Sequence, residues 1–159
     1  MEPAGWLAAL EASAFAAWMR GAGSAYAVAN LVHLLGLTLL LGSMLMLDLR
    51  LLGLGRRLPL PEVSRLLTPF AGVGLALQAG SGFALFAADA VPLSGNGAFR
   101  IKLAAIALAL ANAVLFRIRW SDSLVSWDVS PPLAGRIQAA LSLALWLSVA
   151  AAGRLIAYT

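Results

Sequence analysis

Four apolar stretches, each long enough to cross a bilayer, constrain this chain more than anything else in it. They run at about 25–47, 63–91, 99–116 and 133–158, and charged or Pro/Gly-rich breaks separate them. A spanning helix needs about 17–25 residues, with tilt absorbing the surplus in longer stretches. Hydrocarbon offers the backbone no water, so only helices and closed barrels can cross it. The strict alternation of barrel strands is absent here. The expected fold is therefore all-α, an integral-membrane up-down bundle of four transmembrane helices forming one domain over residues 1–159. Composition agrees, since 62% of residues are hydrophobic and 11% charged, where a soluble domain carries about 25% charged residues.

The first 20 residues differ from the rest. Trp6, Leu7, Leu10, Ala14, Phe15 and Trp18 recur at helical spacing, while Glu2 and Glu11 fall elsewhere. That pattern predicts an amphipathic interfacial helix over residues 1–20, broken at Gly21-Ala22-Gly23. No basic n-region precedes it, so it does not read as a cleavable signal peptide.

Charge predicts the orientation. Arg50, Arg56, Arg57, Arg65, Arg117, Arg119 and Arg136 flank the first and third loops, while Arg20, Arg100, Lys102 and Arg154 lie at the opposite ends. The positive-inside rule then places loops one and three in the cytoplasm and both termini outside, in the periplasm of a bacterial inner-membrane protein. The net charge of +4 is spread over segment ends without a stripe, so nucleic acid is not an expected partner. The expected surroundings are the lipid bilayer, with a homo-oligomer or a larger membrane complex as further partners.

His33 is the one histidine in the chain and sits inside the first apolar stretch. An imidazole there must find a partner or bind something, and ionisable groups inside membranes mark function by default. Asn30 and Gly36 share its helix face. Gln78 reaches a similar depth on the second helix, and Arg100, Lys102 and Arg154 lie just below the outer boundary. A neutral imidazole over a Gly notch, with cations nearer the surface, suits haem b: iron on His33, the ring in the notch, propionates on the Arg/Lys groups. The structural alternative is that His33 bonds Gln78 or a backbone carbonyl and fixes helix register. An ion path is a third option. Gly72, Gly74, Gly80 and Gly82 should make the second helix thin, and Pro69 should kink it.

The remaining motifs are weaker. Met44 and Met46 suggest soft-ligand copper, yet residues two apart on a helix diverge, so structural packing is the expectation. Asp48 and Arg50 are expected to form ion pairs with neighbours at the inner interface. Trp6, Trp18, Trp120, Trp127 and Tyr158 are expected in an aromatic belt, with Trp146 in the core. With no Cys, disulfides and thiolate metal sites are excluded. No standard hydrolase or NTPase motif occurs.

The stretches L-V-H-L-L-G-L-T-L-L-L-G, L-D-L-R-L-L-G, N-G-A-F-R-I-K-L and G-R-L-I-A-Y resemble a family of small bacterial four-helix membrane proteins grouped with the CopD-like proteins. A fainter likeness extends to HemJ-type protoporphyrinogen oxidases. That pattern has a His in the first helix, an Arg just after it, a Pro opening the second and a Lys opening the third. Here those positions are His33, Arg50, Pro69 and Lys102. The HemJ-type likeness implies haem b, with the His and Lys needed for activity; the CopD-like one implies copper handling at the inner membrane. The chain departs from the HemJ pattern at Arg100 and Phe116–Arg117, where further histidines are usual. The leading expectation is a haem-b protein ligated by His33, through one axial ligand or a site shared between chains, with a redox or porphyrin-related role. The alternatives are copper handling and a non-catalytic membrane subunit that scaffolds a larger complex.

Overall fold

The computed structural model describes residues 5–158, and all of its regular elements are helical. They are α1 (Gly5–Glu11), α2 (Ala14–Gly21), α3 (Ala25–Leu51), α4 (Leu60–Ala88), α5 (Ala90–Gly95), α6 (Gly97–Trp120) and α7 (Leu133–Leu155). Short 3-10 turns follow α6 and α7. No strand occurs among the described residues. α3, α4, α6 and α7 are long and apolar enough to cross a membrane, so the all-α four-helix architecture stands. Leu31, Leu34, Leu66, Val73, Leu108 and Leu115 are exposed on the outside of the bundle. A water-soluble protein rarely exposes so many large apolar side chains along its long helices, whereas lipid accepts them. The chain has the build of a multi-pass membrane protein.

Local chemistry sets the helix ends. α3 runs past residue 47 to Leu51 and closes on Gly53, whose φ of 110° is left-handed. Gly53 N–H donates to Arg50 O at 3.0 Å and Leu54 N–H to Leu49 O at 2.9 Å. These are the paired bonds of a Schellman cap, which glycine permits at no steric cost. α4 continues through Pro69. It stops at Ala88 because Asp89 leaves helical geometry, and the short α5 follows. Asn96 opens α6, its side chain accepting from Phe99 N–H at 3.0 Å.

The N-terminal segment is two helices rather than one. Ser13 adopts extended geometry and its hydroxyl accepts from Ala16 N–H, restarting the chain as α2. Residues 1–4, Glu2 among them, lie outside the described residues. Leu7, Ala16 and Met19 are buried where α1 and α2 pack on α3, α4 and α5 at one end of the bundle, while Trp6, Phe15 and Trp18 face outward. Arg20 donates to Ala88 O at 2.7 Å, meeting a carbonyl left unpaired at the α4 C-terminus. Glu11 accepts from Val91 N–H at 2.7 Å. The segment is thus tied to the bundle by hydrogen bonds as well as apolar contact.

The four long helices form an open ring. α3 packs on α4 along one side and on α7 along the other, and α6 packs on α7. The α3/α4 seam is close because Gly36 and Gly74 face each other. A Cβ on Gly36 would stand 2.9 Å from Leu77 Cβ, and one on Gly74 would run into the Leu40 backbone. Around Gly72 and Gly80 there is open space, so only part of the glycine set thins this contact. α4 and α6 instead meet through side chains near their ends. Phe86 and Phe99 stack at 5.4 Å near the end that carries α5, and Arg117 donates to Thr68 near the opposite end.

The end of the bundle opposite α5 is closed by the chain that follows α6. Trp127, expected in the aromatic belt, is 2% exposed; its ring lies over Gly135 and its Nε1–H donates to Leu51 O at 3.0 Å. The indole is buried because Gly135 leaves a slot for it and Leu51 offers an acceptor. Trp146 is in the core with Leu40, Ala105, Ala109 and Val149, as expected. Arg50 is buried and donates to both carboxylate oxygens of Asp128, at 2.9 and 2.6 Å, and twice to Leu58 O. That fork-to-fork pairing holds the Asp128 carboxyl below its ordinary range. Asp48 departs from its expected ion pairing: it is 2% exposed and forms no salt bridge among the described residues. α3 extends beyond it, which carries Asp48 into the bundle instead of to the interface.

Candidate functional site

Three helices bring polar side chains together in the half of the bundle nearer α2 and α5. His33 projects from α3 onto α4, where Gly82 lies under the ring; a Cβ there would come within 3.2 Å of His33 Cε1. The notch that receives the imidazole is therefore Gly82. The expected notch at Gly36 is filled by the backbone of α4.

The hydrogen-bond order assigns the tautomer of His33. Ser81 Oγ–H donates to Leu77 O at 2.5 Å. Its single proton is thereby used, so Ser81 Oγ can only accept from His33 Nδ1–H at 2.9 Å. Nε2 is left with a bare lone pair, and Lys102 Nζ of α6 stands 3.5 Å from it. The Lys102 stem passes along Gly153 of α7, where a Cβ would lie 3.6 Å from Nζ. Two glycines on two helices thus make room for one imidazole and one amine. An oriented imidazole whose second nitrogen is held by an oxygen partner is how proteins present a metal-ligating histidine.

Gln78 joins the cluster through the backbone, its Nε2–H donating to His33 O at 2.6 Å. This bond crosses the α3/α4 seam and fixes the two helices in register. The other expected members lie elsewhere. Asn30 is exposed. Arg100 turns back to Ser94 O at 2.9 Å, and Arg154 binds Tyr158 OH at 2.6 Å with its guanidinium over that ring. Both arginines sit near helix ends, where long cationic side chains reach toward polar surroundings. Lys102 alone of the three cations turns inward to His33.

Ser81 was missing from the sequence expectations. Its signal was its position three residues after Gln78, which puts the two on one face of α4. A second polar group surrounds a cavity of about 200 Å³ in the half of the bundle opposite α5. Asp48, Ser43 and Ser142 line it, beside Asn112 and Gln138. The last two knit α6 to α7: Asn112 Nδ2–H donates to Gln138 O and Gln138 Nε2–H to Asn112 O. Met44 lines the same cavity whereas Met46 is exposed, so the two thioethers do not converge. Among the described residues no group of three or more His, Cys, Asp or Glu side chains is gathered as a metal-binding set.

Neither the curated proteins nor the solved structures compared with this chain gave a match. The family comparison did, over residues 8–159. The chain belongs to DUF6644, a family of unknown function.

Proposed function

We propose that this is a multi-pass protein of the bacterial inner membrane, with both termini in the periplasm, in which His33 ligates haem b in a redox or porphyrin-related role. The observation that carries the reading is the orientation of His33: Nδ1–H is committed to Ser81, so Nε2 carries the lone pair and faces only the flexible Lys102 side chain. The donor fits a haem iron, which needs no more than one imidazole from the chain where a protein-only metal site needs several ligands. Lys102 Nζ now stands beside Nε2, so loading requires that flexible side chain to swing aside, where its ammonium can pair with a propionate. The bound group would supply one-electron chemistry; the chain's own residues hold it, orient the imidazole and place a cation next to it. The likeness to HemJ-type proteins in the placement of His33 and Lys102 supports this role.

The test is the absorption spectrum of the protein purified in mild detergent. Native protein is expected to show a haem Soret band, and His33→Ala to lose it. A haem-free preparation that cannot be reconstituted, or His33→Ala with full haem content, overturns the reading.

A further inference from the structure

The cavity lined by Asp48 stands apart from the His33 cluster, and two features of its wall call for a ligand. Asp48 is 2% exposed and Ser142 is 3% exposed; the two side chains approach each other, and beyond that approach Asp48 Oδ2 and Ser142 Oγ have no hydrogen-bond partner. Buried polar atoms in native proteins are almost always satisfied, and a buried carboxylate needs a compensating charge or donor. Nearby cations are already engaged. Arg50 is committed to Asp128 and Leu58, and Arg117 is bound to Thr68 at the far wall. Asn112 and Gln138 use their amide donors on each other's backbone.

The rest of the wall is hydrocarbon, including Leu40, Met44, Leu47, Leu75, Leu110 and Phe116. This argues against an inorganic cation, which would demand several oxygen ligands in place of apolar side chains. It favours a molecule with one donor-rich cationic end and an apolar body. Access is through the α4/α6 side of the ring, where the long helices do not pack backbone to backbone and where Thr68, Gly72 and Arg117 line the cavity. That route leads to the bilayer as well as to the interface at that end, which again suits an amphipathic ligand.

We infer that this cavity is a binding site for a small amphipathic amine, its ammonium on Asp48 and Ser142 and its hydrocarbon against the Leu/Met/Phe wall. The site involves neither His33 nor haem, so its failure and the failure of the haem reading are separable.

The experiment uses the full chain in lipid nanodiscs and three matched probes: benzylamine, benzyl alcohol and benzoate. Binding is read by saturation-transfer NMR and calorimetry against nanodiscs lacking protein. Benzylamine is expected to bind saturably, at least tenfold tighter than benzyl alcohol, with benzoate not binding. Asp48→Asn should weaken benzylamine at least tenfold, and Ser142→Ala less. Ala71→Leu fills the cavity from a wall that bears no charge and should abolish binding; it decides the matter if Asp48→Asn fails to fold. Absence of saturable benzylamine binding, equal affinity for the alcohol, or unchanged binding in Ala71→Leu overturns the proposal.

Discussion

Ser81 determines what His33 can do. A hydroxyl that spends its proton on Leu77 O forces the imidazole to donate through Nδ1, so the reactive face of the ring becomes Nε2. Replacing Ser81 by Ala removes that constraint without touching Nε2. The expected result is a haem affinity lower by about 10–100-fold, the usual effect of losing such an orienting partner, measured by haem titration with the Soret band as readout. A second prediction concerns the buried Arg50. Its partner Asp128 has a carboxyl held below the ordinary value of 3.8 by the Arg50 hydrogen bonds. A depressed carboxyl contributes stability that is fully present above that value and is lost as pH falls from it through the lower value of the folded state. Thermal unfolding in detergent should therefore begin to drop in midpoint as pH approaches the ordinary value of 3.8 and keep dropping below it, and Asp128→Asn should be lower at pH 7 and flatter across that range. His33 was legible in the sequence because an ionisable group in an apolar run must find a partner or bind something. Ser81 was not, since a serine between glycines reads as helix packing. Asp48 was misplaced because a charge near the end of an apolar run looks interfacial until the cap at Gly53 shows how far the helix continues.

The seams between helices separate glycines that matter from glycines that do not. Gly74→Ala drives a Cβ into the Leu40 backbone, and such overpacking typically costs about 1–3 kcal/mol. Gly72→Ala adds its Cβ to open space and gains about 0.4–1 kcal/mol by stiffening the unfolded chain. Unfolding of the two variants in one detergent should move the midpoint in opposite directions. The sequence pointed to a thin second helix correctly, but it could not say which glycines face a partner, because that depends on the rotation of α4 about its axis. The same limit applies to the ends. The four spans were recognisable from apolar run length, whereas the stop at Leu51 and the restart at Ser13 rest on backbone bonds and a side-chain cap that hydropathy does not register.

At the scale of the whole molecule, the bundle and its membrane character follow from run length and composition, and the arrangement of the ring does not. Three seams are packed and the fourth, between α4 and α6, is not, because the helices joined by α5 are held together by aromatic stacking and one Arg–Thr bond. The orientation derived from charge can be checked directly, since the chain has no Cys and an introduced one is the sole label site. A membrane-impermeant maleimide is expected to label Gly97→Cys in intact spheroplasts and Arg57→Cys only after lysis; the reverse pattern would invert the topology. Geometrically, the α4/α6 side is a slot pinned near both ends, by Phe86 on Phe99 and by Arg117 on Thr68. Such a slot widens only where its sides bow between the pins. Entry by that side would therefore be limited by a molecule's thickness more than by its length, favouring a slender chain or a flat ring over a bulky branched molecule.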